Sequence, residues 1–162
     1  MRISFDLDDT LICYQPGVPR EPSLSWWWQF VANDEPLRLG ARALLRELLR
    51  RGHELNVYTT SYRSPIGVRL WLRGHGIRVR EVINQDIHER RLRVHHDDRP
   101  SSKNPRAFGF HLHIDDSEGV GEEGRQYGFR VVVISPDDRD WAAKILAAVS
   151  DSPHERATPR RE

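Results

Sequence analysis

Three short apolar runs in this sequence each break off into small or acidic side chains. The first opens at Ile3 and ends in Asp6, Asp8 and Asp9; the second spans residues 54–58 and ends in Thr59, Thr60 and Ser61; the third, residues 110–114, ends in Asp115 and Asp116. Each reads as a short strand whose carboxyl end turns acidic or hydroxyl-bearing. Helical patterns stand between them. Leu39, Ala43, Leu44, Leu45, Leu48 and Leu49 recur at helix spacing with Arg42, Arg46 and Arg50 between them, and Gly52 marks the stop. Val68, Leu70, Trp71 and Leu72, closed by Gly74 and Gly76, predict a second helix, and residues 79–83 a third strand. A short helix over 118–127, a strand over 129–134 read as fully buried, and a closing helix marked by Trp141, Ile145, Leu146 and Val149 complete the series. Alternation of this kind demands right-handed crossovers and a doubly wound α/β sheet, whose ligands collect at the carboxyl ends of the strands.

Two stretches fall outside the alternation. Residues 14–37 carry Pro16, Gly17, Pro19, Pro22 and Pro36 around Trp26, Trp27 and Trp28, the composition of a Trp-rich insertion. Its tryptophans read as packing onto the sheet edge, with a pocket wall or a homo-oligomer contact as the alternatives. Residues 86–104 are polar without a clear period and are assigned mostly to loop. At about 150 residues per domain the 162 residues make one, residues 1–150, with 151–162 a flexible tail.

Composition narrows the partners. The one cysteine, Cys13, excludes an internal disulfide and multi-cysteine metal sites and reads as a small packed hydrophobe. The acidic amino terminus argues against a signal peptide, and no run reaches the ~18 apolar residues of a membrane span, so the expected location is cytoplasmic. A formal charge of +1 gives no field that would recruit nucleic acid, which stays open without support from charge. Lys103 and Lys144 are the two lysines among 25 basic residues, so each lysine position carries information.

Asp6, Asp8, Asp115 and Asp116 gathered at strand ends would form an oxygen-only anionic cluster, the donor set of a hard cation, and the small number of protein ligands favours Mg2+. A divalent ion beside a carboxylate, a threonine and a lysine is equipment for phosphoryl transfer. Here the residues carry a resemblance. FDLDDTL at residues 5–11, VYTTS at 57–61, Lys103 in SSKNP, and HIDDS at 113–117 are similar, in order and context, to the four motifs of the haloacid dehalogenase-like (HAD) superfamily. The resemblance implies a Rossmann-like core of strand order 5-4-1-2-3 and a Mg2+-dependent phosphatase working through an aspartyl-phosphate. It implies Asp6 as nucleophile and Asp8 as general acid and base, with Thr59, Thr60 and Lys103 on the phosphate. Asp6, Asp115 and the Asp8 backbone carbonyl would hold the metal, supported by Asp116. Segments this short between motifs imply no full cap domain. The substrate class is not legible, and a non-catalytic phosphate- or metal-binding or scaffold protein of the same fold is the alternative.

The remaining polar groups read as structural. The His95 to Asp98 tetrad and Arg90, Arg91, Arg93 and Arg99 read as a solvated loop, the arginines with a second reading as collectors of an anionic substrate beside Lys103. His111 and His113, on one face of the fourth strand, are expected to be buried and hydrogen-bonded.

Overall fold

The computed structural model of the chain describes residues 1–32, 34–95 and 102–151, and of residues 29 and 93–95 the backbone only. Five strands, β1 (Arg2–Phe5), β2 (Glu54–Tyr58), β3 (Val82–Ile83), β4 (Leu112–Asp115) and β5 (Val131–Val133), form one sheet in the order β3-β2-β1-β4-β5. Every pairing is parallel, and read from the other edge this is the order 5-4-1-2-3. The helices are α1 (Trp26–Gln29), α2 (Ala41–Arg50), α3 (Pro65–Gly74), α4 (Gln85–His95), α5 (Glu118–Tyr127) and α6 (Trp141–Ser150), with a 3-10 turn over Pro105–Phe108.

Alternation along the strands gives the sheet two unlike faces. Ile3, Phe5, Leu55, Val57, Leu112 and Ile114 enter one apolar core with Leu44, Leu45 and Leu48 of α2, Trp71 and Leu72 of α3, and Ile145 of α6. The residues between them, Ser4, Asn56, Tyr58 and His113, are equally buried but polar, and point to the side where Tyr58 packs with Ile83, Phe108 and Phe110 against Ile87 of α4. Following each strand one step further on that polar face leads to Asp6 and Asp115. The polar face is therefore the one that runs into the acidic strand ends.

Three expectations need correction. Residues 85–95 are helical, not loop: the Asn84 side chain accepts from Ile87 N–H at 3.1 Å, Asp86 sits in the first turn, and the face carrying Ile87 and His88 closes the aromatic cluster. The apolar stripe is too narrow to show as periodicity. β5 is half-buried rather than fully buried, because it is the edge strand and only β4 covers its flank. His111 precedes β4 and is exposed, its Nδ1 accepting from Arg2 N–H at 2.8 Å, whereas His113 is fully buried as expected. Cys13 is buried, as expected.

The chain leaves the sheet after Ile12 and returns at Leu37, where antiparallel bridges Ile12 to Leu37 and Arg20 to Arg38 close the base of the Trp-rich segment. The tryptophans divide. Trp28 is half-buried and packs, with Leu24, on Gly74 at the end of α3, where a Cβ would meet Leu24 at 2.9 Å. Trp26 is 74% exposed and sets its edge on Phe30, and Trp27 stacks on Trp28. The contact surface is thus α3, not the sheet edge. Among the described residues no helix is long and apolar enough to cross a membrane.

Candidate active site

Asp6 continues β1, and its N–H donates to Ile114 O at 2.9 Å, which sets it level with Asp115 on the neighbouring strand. Immediately afterwards the chain hooks: Leu11 and Ile12 N–H both donate to Leu7 O, Asp9 N–H donates to Ile12 O at 2.8 Å, and Asp9 takes φ +54°. Aspartate tolerates this left-handed conformation better than most residues. The hook leaves Asp6 buried and turns the Asp8 side chain outward, 44% exposed.

Lys103 is 4% exposed and joins the two strand ends. Its Nζ lies 2.8 Å from Asp6 Oδ1, an ion pair without the alignment of a hydrogen bond, and donates to Asp115 Oδ2 at 2.6 Å. What holds it there comes from the polar face. Asn104 N–H donates to Tyr58 Oη at 2.8 Å, and the same Oη is hydrogen-bonded to His88 Nδ1 at 2.5 Å. Asp115 is held from below: Oδ2 accepts from His113 Nε2 at 2.9 Å, Oδ1 accepts from Ser117 N–H at 2.9 Å, and Ser4 Oγ donates to His113 Nδ1 at 2.9 Å.

Burial and charge compete in this group. Burial would raise Asp115, but the His113 hydrogen bond and the Lys103 ammonium outweigh it and hold the carboxyl near 2. Burial would lower Lys103, but Asp6 and Asp115 together push it above the ordinary lysine range, so it stays charged. Burial keeps Asp6 raised in spite of Lys103. Burial, then the neighbouring Asp115, also raises Asp116.

One carboxylate oxygen each from Asp6, Asp115 and Asp116 lies within 4.8 Å of the others. Three carboxylates face one ammonium, and the Asp6 Oδ1 is buried without an aligned hydrogen bond, so a hard divalent cation fits the donor set. Asp116 brings a carboxylate to this cluster, while the Asp8 carboxylate stands outside it, paired with Arg63 at 2.8 Å.

Thr59, buried at the carboxyl end of β2 beside β1, is fixed by its N–H donating to Ile83 O at 2.9 Å. Its Oγ1 accepts from Ser61 N–H at 3.2 Å and keeps its own proton to donate, and Thr60 next to it is exposed. Asp6, Asp115, Asp116 and Lys103 are therefore brought into one group, Thr59 ends the adjacent strand, and Asp8 lies at the rim.

Arg90 and Arg91 do not flank Lys103. With Arg2, Glu81, Ile83, Ile87 and Phe108 they line a groove at the amino end of β1, where Arg91 lies over the Phe108 ring and donates to Ala107 O. His96, Asp97, Asp98 and Arg99 lie outside the described residues, as do residues 152–162 and the side chains of Arg93 and His95.

Sequence reading missed Arg63, whose Nη1 donates to Asp8 Oδ2 at 2.8 Å and to Ser61 Oγ at 3.0 Å. It also missed Ser4, Tyr58 and His88, which hold Asp115 and the Lys103 segment from below.

No family model matches the chain, and no curated protein does. Solved structures do. The HAD domain of effector protein Lem4 from Legionella pneumophila is 12% identical and superimposes with a TM-score of 0.53, covering 95% of this chain and 96% of that one. An inactive mutant of the same domain gives the same identity and TM-score over 96% and 95%. A predicted HAD-like family hydrolase from Porphyromonas gingivalis is 14% identical, with a TM-score of 0.50 over 93% and 98%. The chain has the fold of HAD domains, as the four motifs implied.

Proposed function

We propose that a chain with this fold and this strand-end geometry is a Mg2+-dependent phosphatase that cleaves a phosphate monoester through an aspartyl-phosphate on Asp6. The observation that carries the reading is the meeting of Asp6 at the end of β1 with Lys103 and Asp115 from far along the chain, with Nζ 2.8 Å and 2.6 Å from the two carboxylates. A fold alone does not assign an activity. A buried ammonium bridging two buried carboxylates at the carboxyl edge of a parallel sheet is expensive to assemble, and a structural core has little use for it.

In this reading an Asp6 carboxylate oxygen attacks phosphorus while the bond from phosphorus to the ester oxygen breaks. Asp8, outward on its hook, gives its proton to that oxygen, and the leaving group departs as an alcohol. Asp8 then takes a proton from the water that attacks the acyl phosphate, which releases inorganic phosphate and restores Asp6. Lys103 holds the Asp6 carboxylate and offers its remaining N–H groups to the phosphoryl oxygens, and the Thr59 hydroxyl and Thr60 amide bind the same group from β2. Asp6, Asp115 and the Asp8 carbonyl, with Asp116 beside them, would hold magnesium, whose chemistry when bound is to neutralise phosphoryl charge.

Phosphate release from p-nitrophenyl phosphate tests the reading. Turnover that requires Mg2+, stops with EDTA and is absent in Asp6→Asn is expected; release that persists in Asp6→Asn, or none from the unaltered protein across sugar, nucleotide, protein and nucleic-acid phosphates, overturns it.

A further inference from the structure

Arg63 stands at the rim of the site, and the proposed reaction leaves it without a task. Among the described residues, the one hydrogen bond to the Asp8 carboxylate comes from Arg63 Nη1, at 2.8 Å. The Asp8 side chain is 44% exposed, and this hydrogen bond is what fixes the direction of its Oδ2. Arg63 in turn is held from several directions. Its Nη1 donates to Ser61 Oγ at 3.0 Å, its Nε donates to Glu35 Oε1 at 3.3 Å, and its backbone carbonyl accepts from Asn84 Nδ2 at 3.2 Å. Glu35 belongs to the Trp-rich segment and is itself anchored: its carbonyl accepts from the buried Trp71 indole at 3.1 Å, and its carboxylate accepts from the Tyr14 hydroxyl. A continuous line of polar contacts thus runs from the core residue Trp71 through Glu35 and Arg63 to Asp8.

We infer that Arg63 is the positioning residue that aims the Asp8 carboxyl at the leaving-group oxygen, and that Glu35 of the insertion acts on the reaction through it. The inference rests on the phosphatase reading. Arg63 forms no bond with substrate in this scheme: the proton still passes from Asp8 to the ester oxygen as that oxygen takes the electron pair of the breaking bond. A fork of N–H groups fixed on three partners restricts Asp8 more than a single point charge would.

Two aryl phosphates that differ in the acidity of the leaving group separate positioning from mere support of the fold. Nitrophenolate is a stable anion near neutral pH and leaves with little help, whereas phenol, which titrates near 10 like tyrosine, needs its proton. In Arg63→Ala, kcat/KM for phenyl phosphate should fall by about 100-fold and for p-nitrophenyl phosphate by less than about fivefold, with Arg63→Lys recovering part of the phenyl phosphate loss. Glu35→Gln should show the same asymmetry at smaller size. Equal losses on both substrates, or no loss on phenyl phosphate, overturn the role of Arg63 while leaving the phosphatase reading intact. An unaltered protein that hydrolyses neither of these, nor any of the sugar, nucleotide, protein and nucleic-acid phosphates, overturns both.

Discussion

Replacing Lys103 by methionine keeps a side chain of similar length in the same buried place and removes the ammonium between Asp6 and Asp115. Two buried carboxylates are then left to face each other, and breaking a buried pair from one side costs about 3 to 5 kcal/mol. Lys103→Met is therefore expected to unfold at clearly lower urea in EDTA and to lose at least about 100-fold in phosphate release, the scale of one lost electrostatic contact to a reacting group. Unchanged unfolding and turnover would show that Lys103 is a bystander. Scarcity made this residue legible: one of two lysines, standing just before a strand, is a signal. Arg63 gave none, because arginine supplies nearly all the other cations and its role appears only when the chain brings it beside Asp8. Ser4 and His113 were hidden differently, since their partners depend on which strand pairs with which.

Elements were legible where burial is periodic and illegible where it is not. α2 shows four buried apolar positions on one face, while α4 offers little beyond Ile87 and His88 and was hidden by its charges. β5 read as fully buried because Val131, Val132 and Val133 are all apolar, yet hydropathy does not say how far an edge strand is covered by its neighbours. Contact between α5 and β5 is close because glycines make it so. At Gly124 a Cβ would stand 2.8 Å from Phe129 O and from Val131 Cγ2, and a backbone carbonyl has no rotamer into which to retreat. Gly124→Ala should thus lose about 1 to 3 kcal/mol in urea unfolding. Gly119→Ala on the same helix, where the nearest atom is Ser117 Oγ at 3.4 Å, should be neutral or gain up to about 1 kcal/mol from helix propensity. Equal effects at the two positions would show that propensity, not the approach to β5, sets the requirement.

Across the whole molecule, stability should carry a histidine signature as well as an acidic one. His75 follows α3 and accepts at Nδ1 from Arg42 of α2, at 2.7 Å from Nη2. Burial, and then the Arg42 charge, hold its imidazole down to about 4. An unfolded imidazole takes its proton near 6.5, so the folded state's advantage is complete above that pH and is lost as pH falls from about 6.5 toward 4, by roughly 2 to 3 kcal/mol. His75→Gln removes the titration, and the difference between its urea midpoint and that of the unaltered protein should narrow or reverse through this window. Parallel curves would contradict the assignment.

At this scale the sequence carried the sheet order only through the resemblance of its four motifs, which implied the order 5-4-1-2-3. It could not carry the division of Trp26, Trp27 and Trp28 between packing and exposure, which depends on how the insertion lies along α3. The central claim is that Asp6 becomes phosphorylated, and chemical trapping reads it directly. The protein is mixed with substrate and Mg2+, quenched, and treated with borohydride, which reduces an acyl phosphate but not a free carboxylate. Peptide mass spectrometry should find homoserine at position 6, and no such product in a sample without substrate. Turnover with an unreduced Asp6, or reduction at another carboxylate, would contradict the account.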